Sequence, residues 1–243
     1  MTGVVLTLGP CTLYQGDMRA VLPGLAEKAA LICTDPPYLL TSGSNSTGEM
    51  RGCFSRDVYD NSGAWFPVVP WAETAPVLFA AARTDADAIV MANDRNLCDA
   101  ETALRGAGFK FHRTLVWDKG SVTPNRWFMQ GLEFAFYGWK GRARPINDKG
   151  AHPLFRVGQV DETPHPTEKP VALLQRWIEL TTDPGDLVID PFMGSGSTAV
   201  AALRAGRRFV GVEILPRWFD VAVGRVARAL DRSQGAFDFA GVA

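Results

Sequence analysis

The chain has 243 residues, of which 47% are hydrophobic and 21% charged, enough apolar material for a substantial core and a length that fits one α/β domain better than two. No stretch approaches the roughly 18 uninterrupted apolar residues of a membrane span, and the opening segment lacks the basic start of a signal peptide, so a cytosolic chain with no membrane attachment is expected. A formal net charge of −1 excludes a protein that coats nucleic acid through bulk electrostatics.

In chain order, short apolar runs ending in turn or acidic residues fall at 31–34, 88–92, 109–117, 134–139, 187–189 and 209–212. These predict core strands. Segments of helical length lie at 72–83, 96–107, 171–181 and 198–205. Pro170 stands just before one of them and Gly206 just after another, as helix edges favour. A last helix is predicted from about Pro216, with Phe219, Val223, Val226 and Leu230 on one face and a frayed tail beyond Ser233. Such alternation implies a largely parallel sheet covered on both faces. Two stretches without periodicity, 41–70 and 141–164, are expected to be loops near a ligand edge, where loops of that length carry function.

Cys11, Cys33, Cys53 and Cys98 form no C-x-x-C pair, and His112, His152 and His165 have no i,i+4 partner. Free cysteines and no metal site follow. Within 140–156, Lys140, Arg142, Arg144, Lys149 and Arg156 face a single acid, Asp148. Read alone, this stretch is either an ordinary solvated loop or a stripe that contacts phosphates.

Two motifs carry chemistry. In the first, the run 187–189 leads through Asp190, Phe192, Gly194, Ser195, Gly196, Ser197 and Thr198 into a helix. The glycines let the backbone turn sharply and approach a ligand, and the helix start offers free N–H groups. Glu213 closes the next strand, where a carboxylate can accept hydrogen bonds from both hydroxyls of a ribose. An adenosine-containing cofactor fits. The same spacing also satisfies the dinucleotide pattern G-x-G-x-x-G/A, which keeps a nicotinamide oxidoreductase open. Asp190 and Asp35 weigh against it, because carboxylates repel a pyrophosphate and attract a sulfonium and an amino group.

The second motif is Asp35-Pro36-Pro37-Tyr38, directly after the run 31–34. Two prolines end the strand and remove two backbone donors, which leaves the site rich in acceptors. An exocyclic amine on a base ring is a poor nucleophile because its lone pair is delocalised. If the Asp35 carboxylate and the Pro36 carbonyl each accept one N–H, that lone pair is drawn toward a methyl donor. Tyr38 supplies a face on which an extruded base stacks, worth ~1–3 kcal/mol against the few kcal/mol that extrusion costs.

Asp35 to Tyr38, the segment from His165 to Pro170, and Asp190 to Gly196, in that order, resemble the β class of DNA amino-methyltransferases of restriction-modification and phage systems. The resemblance implies an α/β Rossmann-like fold with a mostly parallel seven-stranded sheet and one antiparallel strand, circularly permuted so that the catalytic motif precedes the cofactor motif. It implies S-adenosyl-L-methionine as cofactor, lined by Asp190, Phe192, Gly194 and Gly196, with Glu213 on the ribose and Thr167 and Lys169 at the methionine end. Asp35 lies near both substrates, and the Gly16-Asp17 pair matches the segment whose acid approaches the adenine. Residues 117–119 and 133–137 match the family's paired last strands.

Asp at the first position of the tetrapeptide is, in that family, more usual in adenine-N6 than in cytosine-N4 enzymes. The expected activity is therefore methylation of adenine N6 in double-stranded DNA. Cytosine N4, or a catalytically silent DNA-binding module, are the alternatives. The whole of 1–243 is expected to be one catalytic domain, with 41–70 as an active-site and DNA-contact loop and 141–164 as a short target-recognition insert. A second copy of the chain and a cognate restriction endonuclease are the further partners considered.

Overall fold

Strands buried on both faces of a sheet read as continuous apolar runs, and the central strands here do so. The computed structural model describes residues 3–37, 67–120, 128, 131–159 and 167–240, the last nine as backbone alone. In chain order the elements are β1 (Val5–Leu8), β2 (Cys11–Gln15), α1 (Met18–Val21), a 3-10 turn (Leu22–Gly24), β3 (Ala29–Thr34), α2 (Trp71–Ala81), β4 (Ala82–Ala92), α3 (Leu97–Ala107), β5 (Lys110–Asp118), β6 (Leu132–Trp139), β7 (Leu154–Arg156), α4 (Val171–Thr181), β8 (Leu187–Asp190), α5 (Ser197–Arg204), β9 (Arg208–Glu213) and α6 (Pro216–Ala240). Every residue of β3 and of β8 is buried.

One sheet collects the strands in the order β1-β2-β9-β8-β3-β4-β6-β5-β7. Its seven inner strands, β2 to β5 in that order, hold one antiparallel member, β6. That is the expected sheet. Two edge strands enlarge it to nine: β1, antiparallel to β2, and β7, parallel to β5. β7 lies within 141–164, which was expected to be loop throughout; three residues, Leu154–Arg156, pair with Val116–Asp118.

Side chains of the strands alternate between two cores. Leu31, Cys33, Ile89, Met91 and Val188 face α4, α5 and α6, where Trp177, Ala201, Phe219 and Val226 meet them. Ile32, Ala88, Val90 and Ile189 face α1, α2 and α3 through Val21, Leu78 and Leu104. Burying one such aliphatic side chain stabilises the fold by about 1.5–3 kcal/mol. α6 presents Phe219, Val223, Val226 and Leu230 to the first core, the expected face. Its backbone stays helical to Ala240, beyond the expected end at Ser233, because no proline follows Pro216 to stop it.

Of the cysteines, Cys11 and Cys33 are free and buried and Cys98 is free and exposed; Cys53 lies outside the described residues. Among the described residues no helix is long and apolar enough to cross a membrane.

Candidate active site

β3 and β8 are neighbours, with Leu31 paired to Val188 and Ile32 to Ile189. From β3 the chain crosses to β4 through α2 on one face of the sheet. From β8 it crosses to β9 through α5 on the other. The two crossovers diverge between β3 and β8, and such a divergence opens a crevice at the carboxyl ends of the strands. A single pocket there is lined by segments 16–19, 34–37, 67–69, 167–169, 190–195, 197–198 and 212–215, together with Leu174. The two motifs therefore share one cavity.

Asp190 organises its floor. Thr34 Oγ1 donates to Asp190 Oδ1 (2.6 Å), Thr198 Oγ1 donates to Oδ2 (2.6 Å), and the Phe192 amide donates to Oδ1 (3.0 Å). Burial pushes this carboxyl up to about 6, against those donors. Asp190 thus ties β3, β8 and the first turn of α5 together while lining the crevice.

The turn after it needs its glycines for different reasons. Gly194 has φ +50° and its amide donates to Glu213 Oε2 at 3.0 Å. Gly196, at φ +82°, lies against α6: a Cβ there would stand 3.0 Å from the Ala222 Cβ. Gly196 does not line the pocket, whereas Ser195, Ser197 and Thr198 do. Glu213 also accepts from the Leu215 amide at 2.8 Å. Burial pushes its carboxyl up to about 7 in spite of both donors.

Two groups absent from the sequence reading hold this turn. Arg225 of α6 donates to the Ser195 carbonyl (3.0 Å) and Oγ (2.7 Å) and forms an ion pair with Glu168 at 2.8 Å. Ser195 Oγ donates in turn to Glu168 Oε2 at 3.1 Å. A lone arginine in a helix and an acid beside a lysine carry no signal in one sequence. Their roles exist only because α6 packs on α5.

Asp35 follows β3, where Pro36 and Pro37 offer no N–H with which the strand could continue. Its Oδ2 accepts from Lys169 Nζ at 2.5 Å, while its Oδ1 is buried without a hydrogen-bond partner. Burial raises the Asp35 carboxyl above the usual range, and Lys169 opposes that rise. Lys169 also reaches Glu133 of β6 at 3.4 Å, and Glu133 pairs with Lys119 at 2.6 Å. Thr167 lines the same wall.

Asp17 reaches the pocket but caps α1, accepting from the Arg19 amide (2.8 Å) and pairing with its guanidinium (2.6 Å). The Arg19 hydrogen bond holds the Asp17 carboxyl below the usual range. Tyr38 and residues 41–66 lie outside the described residues, as does His165. Among the described residues no group of three or more His, Cys, Asp or Glu could hold a metal ion.

The expected basic stripe is not one surface. Lys140 follows β6 where that antiparallel strand ends beside Asp87 and Lys110, at the edge of the sheet opposite Asp35. Its ammonium donates to the Phe79 and Ala82 carbonyls at 2.8 Å each. Arg142 follows Gly141, which packs on Thr84 at that same edge. Arg144 bonds to Asn147 and Asp183 at 3.1 Å. Lys149 borders a separate hollow with His112, Arg113, Tyr137 and Trp177. Only Arg156, at the end of β7 and paired with Asp118 at 2.9 Å, stands on the edge that carries Asp35.

A glycine-turned crevice at the switch point of a permuted, mostly parallel sheet, with Asp35 at its mouth, defines an enzyme of the Rossmann-like methyltransferase kind. The DNA methylase family matches residues 29–224, and the chain belongs to that family. Type II methyltransferase M2.DpnII of Streptococcus pneumoniae is 28% identical over 238 residues, covering 82% of this chain and 83% of its own. Among solved structures, the complex of M1.HpyAVI with SAM superposes with a TM-score of 0.68 at 24% identity, over 88% of this chain and 99% of the other. The cytosine-N4-specific PvuII DNA methyltransferase gives 0.68 at 17% identity, over 93% of each chain. These two likenesses establish the fold.

Proposed function

We propose that this DNA methylase transfers a methyl group from S-adenosyl-L-methionine to the N6 amino group of adenine, on a base flipped out of duplex DNA. The carrying observation is the buried, unpartnered Oδ1 of Asp35, a strong acceptor on a residue that lines the crevice shared with Glu213 and the glycine turn. A buried acceptor without a donor is costly, and an amine N–H arriving from a base relieves that cost. Asp rather than Ser at this position favours adenine over cytosine.

The residues present fit the cofactor. Glu213 would accept from the ribose hydroxyls, the turn from Phe192 to Thr198 would border the nucleoside, Asp17 would approach the adenine edge, and Thr167 would border the amino-acid end, with Lys169 beside it held on Asp35. When bound, the cofactor supplies an electrophilic methyl on a sulfonium. Asp35 and the Pro36 carbonyl orient the target amine by accepting its two N–H bonds. As the nitrogen takes the methyl, it sheds one proton, and the raised affinity of Asp35 for a proton suits it to receive that proton. Pro37 keeps the carbonyl edge open, and Tyr38, outside the described residues, would supply a face for the base. The proposal includes one catalytic domain over 1–243, with 41–70 and the part of 141–164 that ends on Arg156 meeting the DNA, and it admits a second copy and a cognate endonuclease as partners.

Single-molecule sequencing of DNA from cells that express the chain tests this reading. It should report methylated adenine N6 within one short sequence context. Modified cytosine N4 would correct the base, and unmodified DNA together with no transfer of labelled methyl groups in vitro would refute the enzyme.

A carboxyl that titrates at about 7 gives cofactor binding a defined pH dependence. The ribose hydroxyls need an ionised Glu213, so affinity is full above pH 7 and falls as the pH drops through that value. Calorimetry should show Kd rising roughly tenfold from pH 8 to pH 6, the proton competition expected one unit below the pKa. Glu213→Gln should bind weakly at both and remove most of the difference.

Placement of the basic residues makes a second expectation. Arg156→Gln should weaken DNA binding and reduce the slope of log K against log salt by about 1. The double change of Arg142 and Arg144 to Gln should leave that slope unchanged. The opposite pattern in a salt titration would move the DNA to the other edge.

A further inference from the structure

We propose that Glu133 and Lys119 are positioning residues for the transfer step: they clamp Lys169 on Asp35 Oδ2, so that Oδ1 alone faces the target amine. The inference rests on the reading that Asp35 receives that amine.

Lys169 Nζ has three donors and, among the described residues, meets these acceptors: it lies 2.5 Å from Asp35 Oδ2, 3.4 Å from Glu133 Oε2 and 3.4 Å from the Thr167 carbonyl. Lys119 holds the far oxygen of Glu133, Oε1, at 2.6 Å. All four side chains are largely shielded, Lys169 to 10% exposure and Glu133 to 17%. Two carboxylates and two ammonium groups alternate, so the chain of charges is neutral as a whole, the condition under which buried ions are tolerated.

A single Lys169–Asp35 pair would already neutralise Asp35, yet it would leave the lysine free to swing and the carboxylate free to rotate. Glu133, projecting from a rigid inner strand, removes that freedom. An ammonium pinned from three sides fixes which oxygen of Asp35 is occupied. Held geometry of this kind is what a reacting amine requires.

The same contacts set the proton affinity of Asp35. Four charged groups act on it: Lys169 and Lys119 favour its ionised form, while Glu133 disfavours it, and the neighbouring Asp190 is a further like charge. Glu133 therefore does two separable things: it locks Lys169, and it keeps Asp35 basic enough to accept the proton released by the methylated amine. A residue serving stability alone would do neither.

The test is a carboxyl-carbon NMR titration of the full, ligand-free chain with labelled aspartate, the Asp35 signal being assigned by Asp35→Asn. Lys169→Met should raise the Asp35 pKa by about 1–3 units, the range for loss of an adjacent opposite charge. Glu133→Gln should lower it by about one unit, and the acidic limb of the kcat profile on duplex DNA should shift the same way. In Glu133→Gln, kcat should drop about tenfold while KM for DNA changes less than twofold, and Glu133→Asp should recover part of the loss. Should Lys169→Met fail to fold, Lys169→Arg keeps the charge and should leave the Asp35 titration near its original place. An Asp35 titration unmoved by Glu133→Gln overturns the clamp. Methyl transfer surviving in Asp35→Asn would instead overturn the role of Asp35, whatever the titration shows.

Discussion

Asp35→Ala abolishes detectable methyl transfer while cofactor binding survives: kcat should fall by about 10²–10⁴-fold, the range supplied by a positioned proton acceptor, with the Kd for S-adenosyl-L-methionine within about tenfold of the original. The separation follows from the geometry. Asp35 stands on β3 at the mouth of the crevice, while the ribose acceptor Glu213 and the glycine turn stand on β9 and after β8. Removing Asp35 leaves one net positive charge in the cluster, but Lys169 keeps Glu133 and the Thr167 carbonyl as acceptors. The variant should therefore fold, and thermal melting should confirm that before any rate is compared. Loss of cofactor affinity with retained turnover would reverse the roles given to the two motifs.

Much of this was legible in the chain because the relevant signals are local. A run such as Leu187–Asp190 followed by two closely spaced glycines announces a strand, a tight turn and a helix start in adjacent residues, and Asp35 to Tyr38 announces a strand that cannot continue. Six of the seven inner strands and the four middle helices fell near the observed ones for the same reason: both core faces of β3 and β4 are apolar; the inner strand β2 was not among the predicted runs. What was hidden is nonlocal. β1 and β7 are short edge strands that stay largely exposed, so burial leaves little mark on their sequence; β1 even exposes the apolar Val5 and Leu6. Glu133 and Glu168 read as unremarkable acids until β6 and the segment before α4 bring them to Lys169 and Arg225. The basic residues misled in the opposite way. Their closeness in sequence suggested one surface, but the antiparallel course of β6 carries Lys140 to the far edge of the sheet and β7 returns Arg156 to the near one.

Gly196→Val loses both cofactor binding and stability, and a second glycine separates the two causes. Gly196 and Gly206 both adopt a left-handed conformation, at φ +82° and +71°, so a side chain at either incurs backbone strain of about 1–3 kcal/mol. Around Gly206 a Cβ meets nothing within 4 Å; at Gly196 it meets the Cβ of Ala222 at 3.0 Å and its Cα at 3.2 Å. The neighbour is a methyl rigidly attached to the backbone of a helix that packs on α5, so it cannot yield without separating α5 from α6. That separation would draw Ser195 away from Arg225 and Gly194 away from Glu213, the contacts that shape the cofactor side of the crevice. Gly206→Val should lower the melting temperature by about 2–12 °C, given 2–4 °C per kcal/mol at this chain length, and leave the cofactor Kd within about twofold. Gly196→Val should lower it by roughly twice as much, overpacking adding about 1–3 kcal/mol to the strain, and weaken the cofactor by at least about a hundredfold, which is close to 3 kcal/mol of lost binding. Equal behaviour of the two variants would mean that the α5–α6 contact does not govern the turn, and that Gly196 serves its conformation alone.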